Sequence, residues 1–478
     1  MFNMKIVMVS GESNPLVKTG GLADVVYSLS KELVKSRKND VSVIIPFYKQ
    51  IKPKLTKRPV KVCSFEVYMS WRKQYCVVYK TIIDGIRYFL IKNDQYFGRD
   101  NIYGYDDDIE RFACFTLASK KLMEIINLIP DIIHIHDWHP GMLPLLIKDD
   151  YGSPLNKAKF VLTIHNPAFK GLFDKYFLGN FYNLNDKYFN DGTVCFNGAV
   201  STLKTAIVYC NKITTVSPTH RIELLTDEAI SGGLNHVLEY RRDDFVGILN
   251  GIDYEEFNPT KDEKIVAKLK GNVASFKKVN KEALLKEKDL VIDEAPLYGM
   301  VSRLTWQKGL DILLGNVESL LQRGSKVIIL GSGEYKYENQ LEYLRAKYPH
   351  HLSIYIGYND DLAHKIYAAS DFFLMPSLFE PCGLSQMISL HYATLPIVRL
   401  VGGLKDSVTP YVDDNLKYAD GFGFYDYTYN ALSGTLNWCE QVYKDKEKMK
   451  TLRNNALEQN YDWKKSSQKY LALYKSII

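Results

Sequence analysis

The sequence predicts an α/β protein built from two doubly wound domains facing each other across a cleft. Three observations predict it. Short apolar runs alternate with helical patterns along the whole chain, the rhythm of a parallel sheet whose crossovers are helices. That rhythm pauses at 248–259, Ile-Leu-Asn-Gly-Ile-Asp-Tyr-Glu-Glu-Phe-Asn-Pro, where Asn-Gly and Asn-Pro mark turns, and then restarts. Finally, the segment Gly-Gly-Leu-x-Asp-x-Val occurs twice, at 20–26 and at 402–408, each time after an apolar run. One such loop can be accidental. Two, one near each end, suggest two domains that each offer a loop to one ligand.

Taken in order, the first half predicts strands at 5–9, 41–45, 86–91, 132–136, 160–164 and 212–216. Helical patterns lie between them, as at 108–126 and 142–148. Residues 61–80 alternate apolar and polar instead, which reads as a β-hairpin insertion. The first domain is therefore expected over 1–247. After a charged helical stretch at 277–288, strands are predicted at 298–301, 326–330, 352–356, 371–375 and 396–398, continuing into Leu400-Val401, so the second domain spans 248–455. The tail reads as amphipathic helix, and 456–478 is expected to pack back across the boundary.

Composition removes several function classes. The chain has 478 residues, enough for two domains or three, and its 46% hydrophobic and 24% charged content is ordinary for a globular protein. A net charge of +6 without a basic run gives no hold on nucleic acid, and fits a cleft for an anionic ligand. Seven cysteines without a Cys-x-x-Cys read as free thiols in a reducing cytoplasm. Met-Phe-Asn-Met-Lys leads straight into the first strand, which leaves no room for a targeting peptide, and no apolar run reaches the ~20 residues of a membrane span. The 34 tyrosines read as packing residues.

The candidate chemistry sits at strand-to-helix turns, where ligands bind in open α/β sheets. Lys18, Gly20 and Gly21 stand between the first strand and a helix with apolar residues at Val25, Val26, Leu29 and Leu33. Adjacent glycines let amides approach an anion, and the helix N-terminus and Lys18 add positive charge, so the stretch suits a phosphate or diphosphate. A tight turn with a solvated lysine is the plainer alternative. Arg303 and Lys308, in Ser-Arg-Leu-Thr-Trp-Gln-Lys-Gly-Leu-Asp at 302–311, pair a bidentate fork with a point charge at another such turn. Glu380 follows the strand ending Leu-Met-Pro, with the amides of Cys382, Gly383 and Leu384 free to donate. Such a carboxylate would accept from sugar hydroxyls or oppose positive charge on a reacting sugar carbon; otherwise it caps the helix. Nothing nearby marks a base for the Cys382 thiol.

His-Ile-His-Asp-Trp-His at 134–139 tempts toward a metal site, since His134 and His136 share one face of a strand. The order His-x-His-Asp-x-His is not a hydrolase metal spacing, and no further ligand set follows. The preferred reading is a strand end that presents Asp137 and His139, with His165 of Thr-Ile-His-Asn at the same edge.

Together these motifs, from Lys-Thr-Gly-Gly-Leu at 18–22 through Asn-Gly-Ile-Asp at 250–253 and Glu-Pro-Cys-Gly-Leu at 380–384 to Gly-Gly-Leu at 402–404, resemble bacterial glycogen synthases and plant starch synthases, in order and from end to end. The resemblance implies two Rossmann-like domains in the GT-B glycosyltransferase fold. It implies a retaining transfer of glucose from ADP-glucose to the non-reducing end of an α-1,4-glucan such as glycogen, with neither metal nor cofactor. It also implies roles. Lys18 and the amides of Gly20 and Gly21 touch the donor, as do Cys382, Gly383, Leu384, Gly402 and Gly403. Arg303 and Lys308 neutralise the leaving diphosphate. Glu380, Asp137 and His165 surround the transferred glucose, and Tyr358 stacks on adenine. The chain departs from the family pattern at Leu378 (usually Arg), Val401 (usually Thr), Ser201 (usually Asn) and Asn39 (usually Gly). Two other readings stand beside it: a UDP-glucose-dependent transferase with a small acceptor, and a catalytically dead glucan-binding scaffold. Lys18, Arg303, Lys308 and Glu380, all present, argue against the scaffold.

Overall fold

The structure, a computed structural model, describes residues 4–35 and 39–478. The chain divides into two compact units, Met1–Ile248 with Trp463–Ile478, and Leu249–Asp462.

The first unit is built on strands β1 (Met4–Val9), β2 (Asn39–Pro46), β3 (Val60–Met69), β4 (Arg72–Ile83), β5 (Ile86–Lys92), β6 (Ile132–His136), β7 (Lys159–Ile164), β8 (Leu172–Phe173), β9 (Cys195–Phe196), β10 (Ala199–Ser201), β11 (Lys212–Thr215) and β12 (Phe245–Gly247). Nine of them form one sheet in the order β12-β11-β7-β6-β1-β2-β5-β4-β3. Pairing is parallel from β12 to β5. The alternating hairpin β3–β4 joins antiparallel to β5, so it extends the sheet edge. β8, β10 and β9 make a small separate sheet that periodicity did not reveal, because strands of two or three residues are too short to show a period.

Burial explains the central strands. Both faces of β1 are covered, so Ile6, Val7, Met8 and Val9 are all apolar. The helix Gly21–Lys35 lays Val25, Val26, Leu29 and Leu33 against that sheet, each fully buried, a contribution of about 1.5–3 kcal/mol per side chain. Trp463–Lys475, the last helix, packs on Gly21–Lys35, with Trp463, Tyr470 and Tyr474 in the same core.

The second unit has one sheet of six parallel strands, β13 (Leu297–Val301), β14 (Lys326–Gly331), β15 (Leu352–Ile356), β16 (Phe372–Met375), β17 (Leu395–Arg399) and β18 (Phe422–Phe424), in the order β15-β14-β13-β16-β17-β18. It has its own core. Leu400-Val401 is a turn and not a continuation of the strand: Leu400 N–H donates to Phe424 O at 2.8 Å and Val401 N–H to Arg399 O at 2.9 Å. The tail is two helices within 440–478, Lys446–Glu458 and Trp463–Lys475, and the first of them is fixed to the second unit by Arg453, whose Nη2 lies 2.5 Å from Asp371 Oδ1. Among the described residues no helix is long and apolar enough to cross a membrane.

Candidate active site

In each sheet the strand order reverses at one place, between β1 and β6 in the first unit and between β13 and β16 in the second. Crossovers leave such a pair toward opposite faces, so a crevice opens beyond the carboxyl ends. Lys18, Gly20, Gly21, Asp137, Arg303, Lys308 and Glu380 follow the strands of these two pairs, His165 and Gly402–Gly403 follow the next strand along, and Tyr358 follows the edge strand β15.

In the first unit, Lys18 follows β1, and its Nζ lies 2.8 Å from Asp24 Oδ2. A Cβ added at Gly20 or Gly21 meets nothing within 4 Å, so the backbone is open there. Thr19, between them and Lys18, is held from behind. Its N–H donates to Glu12 Oε2 at 2.5 Å, and its Oγ1 lies 3.0 and 2.9 Å from the two Glu12 oxygens. Glu12 is only 3% exposed, and burial pushes its carboxyl up to about 7.

After β6, Asp137 has φ +56°, a left-handed conformation, and Oδ1 accepts the amides of His165 at 2.7 Å and Asn166 at 3.3 Å. Asp137 thus fastens the end of β6 to the end of β7. Burial pushes its carboxyl up to about 7. His165 Nε2 lies 3.1 Å from His136 Nδ1, and burial lowers His165 to about 3, so its imidazole is neutral.

The structure corrects the reading of His139. It is not presented at the edge but stacked between Trp138 (centroids 4.4 Å) and Tyr103 (5.0 Å), with Phe112 edge-on, and burial lowers it to about 3. Three aromatic rings around one imidazole leave it no ligand-facing side. His134 is likewise spent inside, on Tyr474 Oη at 2.7 Å and Thr163 Oγ1 at 2.6 Å. Among the described residues one set has metal-like spacing elsewhere, Glu256, Asp360 and His364, with ligand atoms within 4.8 Å of one another. The Lys264 ammonium pairs with Asp360 and lies 3.4 Å from His364 Nε2, so the chain's own cation fills that place.

In the second unit, Arg303 leaves the end of β13 and is exposed; its guanidinium makes one hydrogen bond among the described residues, to Gln307 Oε1 at 3.4 Å. Lys308 Nζ lies 2.5 Å from Glu380 Oε2, and both are largely buried. Ser377 Oγ donates to the same oxygen at 3.1 Å. Two contacts bring these distant segments together. Gly309 (φ +78°) lies so close to Pro376 that a Cβ would stand 2.1 Å from its carbonyl oxygen, and Leu378 N–H donates to Gln307 O at 2.9 Å. The amides of Cys382, Gly383 and Leu384 have no acceptor among the described residues. Burial pushes the Cys382 thiol up to about 12, which keeps it a thiol. Tyr358, just beyond β15, presents an 86% exposed ring.

Gly403 is placed differently from the expectation that it touches a ligand. Its amide donates to Glu380 O at 3.1 Å and Pro381 O at 3.2 Å, and a Cβ there would lie 2.0 Å from Cys382 O. Gly403 thus holds the Glu380 segment, and Gly402 before it has φ +44°. Leu378, at a departure from the family pattern, has its carbonyl bound by the Arg399 guanidinium. Sequence reasoning missed Glu12, Ser377 and Arg399. No local pattern marked any of the three.

Comparison with known proteins covers both units. A family model described as starch synthase catalytic domain matches residues 5–240, and one described as glycosyl transferases group 1 matches residues 280–459. A glycogen synthase of Clostridium kluyveri is 42% identical over 478 residues, covering 99% of this chain and 100% of that one. The catalytic domain of starch synthase IV from Arabidopsis thaliana, solved bound to ADP and acarbose, superposes with a TM-score of 0.90 at 31% identity, covering 99% of both chains. A sucrose-phosphate synthase from Thermosynechococcus elongatus, at TM-score 0.61 and 15% identity, shares the fold.

Proposed function

The chain belongs to the glycogen synthase family, with the plant starch synthases, and is a glycosyltransferase that elongates glycogen; from that premise we propose that its donor is ADP-glucose, its acceptor the non-reducing end of an α-1,4-glucan, and its stereochemistry retaining. The observation that carries the reading is the buried Lys308–Glu380 pair, at 2.5 Å, at the strand-order reversal beside the exposed Arg303.

Breaking a glycosyl phosphate builds negative charge on the diphosphate and positive charge on the anomeric carbon. Arg303 and Lys308 neutralise the first, and the amides of Cys382, Gly383 and Leu384 donate to it. Glu380 orients Lys308 and faces the second. Groups fixed before the reaction stabilise charge best, because nothing has to reorganise as the charge develops. The Ser377 hydroxyl and the Gly309–Pro376 contact do that fixing. In the first unit, Lys18 and the amides of Gly20 and Gly21 bind the donor's anionic part. Neutral His165 and the carboxylate of Asp137 orient sugar hydroxyls, and Tyr358 stacks on the adenine.

His165, lowered to about 3, is no general acid at neutral pH. The resemblance to the glycogen and starch synthases favours same-face attack, in which the acceptor oxygen bonds to the anomeric carbon as the glycosyl–phosphate bond breaks and the departing phosphate oxygen takes the acceptor's proton; a trapped covalent glucosyl-enzyme would overturn it.

The test is incorporation of labelled glucose into glycogen from ADP-glucose and UDP-glucose, side by side, with EDTA present. Transfer from ADP-glucose that survives EDTA is expected. A preference for UDP-glucose overturns the donor assignment and points to Leu378 and Val401. No transfer from either donor, with donor binding intact, moves the scaffold reading to first place.

A further inference from the structure

We propose that Glu12 is a positioning residue for the donor loop: its buried carboxylate, by accepting from the N–H and Oγ1 of Thr19, sets the Lys18-Thr19-Gly20-Gly21 backbone in the conformation that receives the anionic donor. The inference rests on the reading that this loop touches the donor.

Three observations carry it. First, both Glu12 oxygens are turned onto one residue, at 2.5, 3.0 and 2.9 Å, and that residue stands between the lysine and the two glycines. Second, the far side of the loop is open, since no atom lies within 4 Å of a Cβ at Gly20 or Gly21. Asp24 holds the tip of the Lys18 side chain, and the Glu12–Thr19 bonds fix the backbone between Lys18 and the glycine amides from the inner side. Third, a carboxylate is a costly anchor. At 3% exposure its ionised form forfeits far more hydration than a serine or glutamine would, a cost that its stronger hydrogen bonds to Thr19 offset. Ionised, the carboxylate accepts from both Thr19 donors in charge-assisted bonds; protonated, one oxygen turns donor toward Thr19 Oγ1 and the bonds that remain are weaker neutral ones.

The surroundings give this a pH sense. Lys18 favours the ionised form of Glu12, and Asp24 on the following helix opposes it. Asp137 after β6 faces it as a second acid, and the hydroxyls of Tyr48 after β2 and of Tyr103 feel its charge. With burial raising Glu12 to about 7, the clamp forms as pH rises through neutrality. Donor affinity should therefore weaken on the acid side of pH 7.

The experiment measures kcat and the ADP-glucose KM for wild type, Glu12→Gln and Lys18→Ala from pH 6 to 8.5. Glu12→Gln is expected to raise the donor KM about tenfold at pH 8, the scale of one lost hydrogen bond to a charged group. It should change kcat much less and flatten the acid-side rise in KM seen in wild type. A wild-type donor KM and pH profile in Glu12→Gln overturns the proposal. If Lys18→Ala also leaves the donor KM unchanged, the donor-loop reading itself fails; if Lys18→Ala raises it and Glu12→Gln does not, only Glu12's role fails. Should Glu12→Gln not fold, Thr19→Val and Thr19→Ser decide: Val is expected to raise the donor KM and Ser to restore it, and an unchanged KM in Thr19→Val overturns the proposal.

Discussion

The two Gly-Gly-Leu segments share the pattern Gly-Gly-Leu-x-Asp-x-Val, yet their glycines serve different ends. At 20–21 the backbone is open on its outer side and no atom crowds an added Cβ. At 403 the backbone runs into the Glu-Pro-Cys turn, so closely that a Cβ would lie 2.0 Å from Cys382 O. The helices differ too: Gly21–Lys35 lies along the sheet for 15 residues, whereas Gly402–Ser407 has six. The first glycines leave their outer side open. The second makes room for the chain itself, and through it fixes Glu380. A repeated motif therefore marks a repeated place in the fold without implying a repeated contact.

The largest effect that sharpens this contrast lies with the residues the second segment helps to fix. Lys308→Ala should lower kcat ~10²–10³-fold, the scale for losing a preorganised charge-stabilising donor. Single-turnover transfer from labelled ADP-glucose would show it; a loss confined to KM would mean the Lys308–Glu380 pair binds without stabilising the transition state. Next is the packing claim. Gly403→Ala should destabilise the second unit by about 1–3 kcal/mol, read by thermal unfolding or by amide exchange in Leu249–Asp462. Native stability there would break the contrast, because it would make Gly403 as free as Gly20. The converse substitution, Gly20→Ala, should leave stability within about 0.5 kcal/mol while raising the donor KM several-fold. An unchanged KM would reduce the first segment to a plain turn.

The smallest expected effect compares the two units in acid. In the first, burial lowers His134, His139 and His165 to about 3, and His136 falls as well. Between about 3 and the ordinary 6.5 the unfolded chain binds more protons at these sites than the folded one, so their contribution to stability is lost as pH falls. Glu12 and Asp137, both raised to about 7, and Asp24, raised by burial, act in the opposite sense above the usual carboxylate range, but they are three against four. In the second unit His391, lowered to about 4, and Asp420, raised to about 7, offset each other, which leaves His351, lowered by burial though partly exposed. Between pH 7 and pH 5, amide protection in the sheet of the first unit should therefore fall further than in the second. Equal losses would contradict it.

Much of this was legible locally. β14 falls within a residue of where the sequence puts it, because a strand buried on both faces is a short apolar run bounded by polar turns, and the half-exposed edge strand β15 also falls where the sequence puts it. Lys18, Arg303, Lys308 and Glu380 stand at strand ends, which the periodicity locates. What was not legible follows from strand order. His139 reads as an edge histidine until Tyr103 and Phe112 close over it. Gly403 reads as a ligand-facing glycine until β17 is seen beside β16. Glu12 has no reading at all until its carboxylate is found on Thr19.

By itself, then, the sequence determined the alternation of strand and helix and the chemical character of each turn, because hydrophobic periodicity and turn residues act over a few neighbours. Which turns meet was decided only by tertiary structure. Lys308 reaches Glu380 across 72 residues, and Tyr474 reaches His134 across 340, because sheet order brings their strands and helices together. No local pattern records that order. The same packing withdraws water from Glu12, Asp137 and the histidines, and so sets their charge.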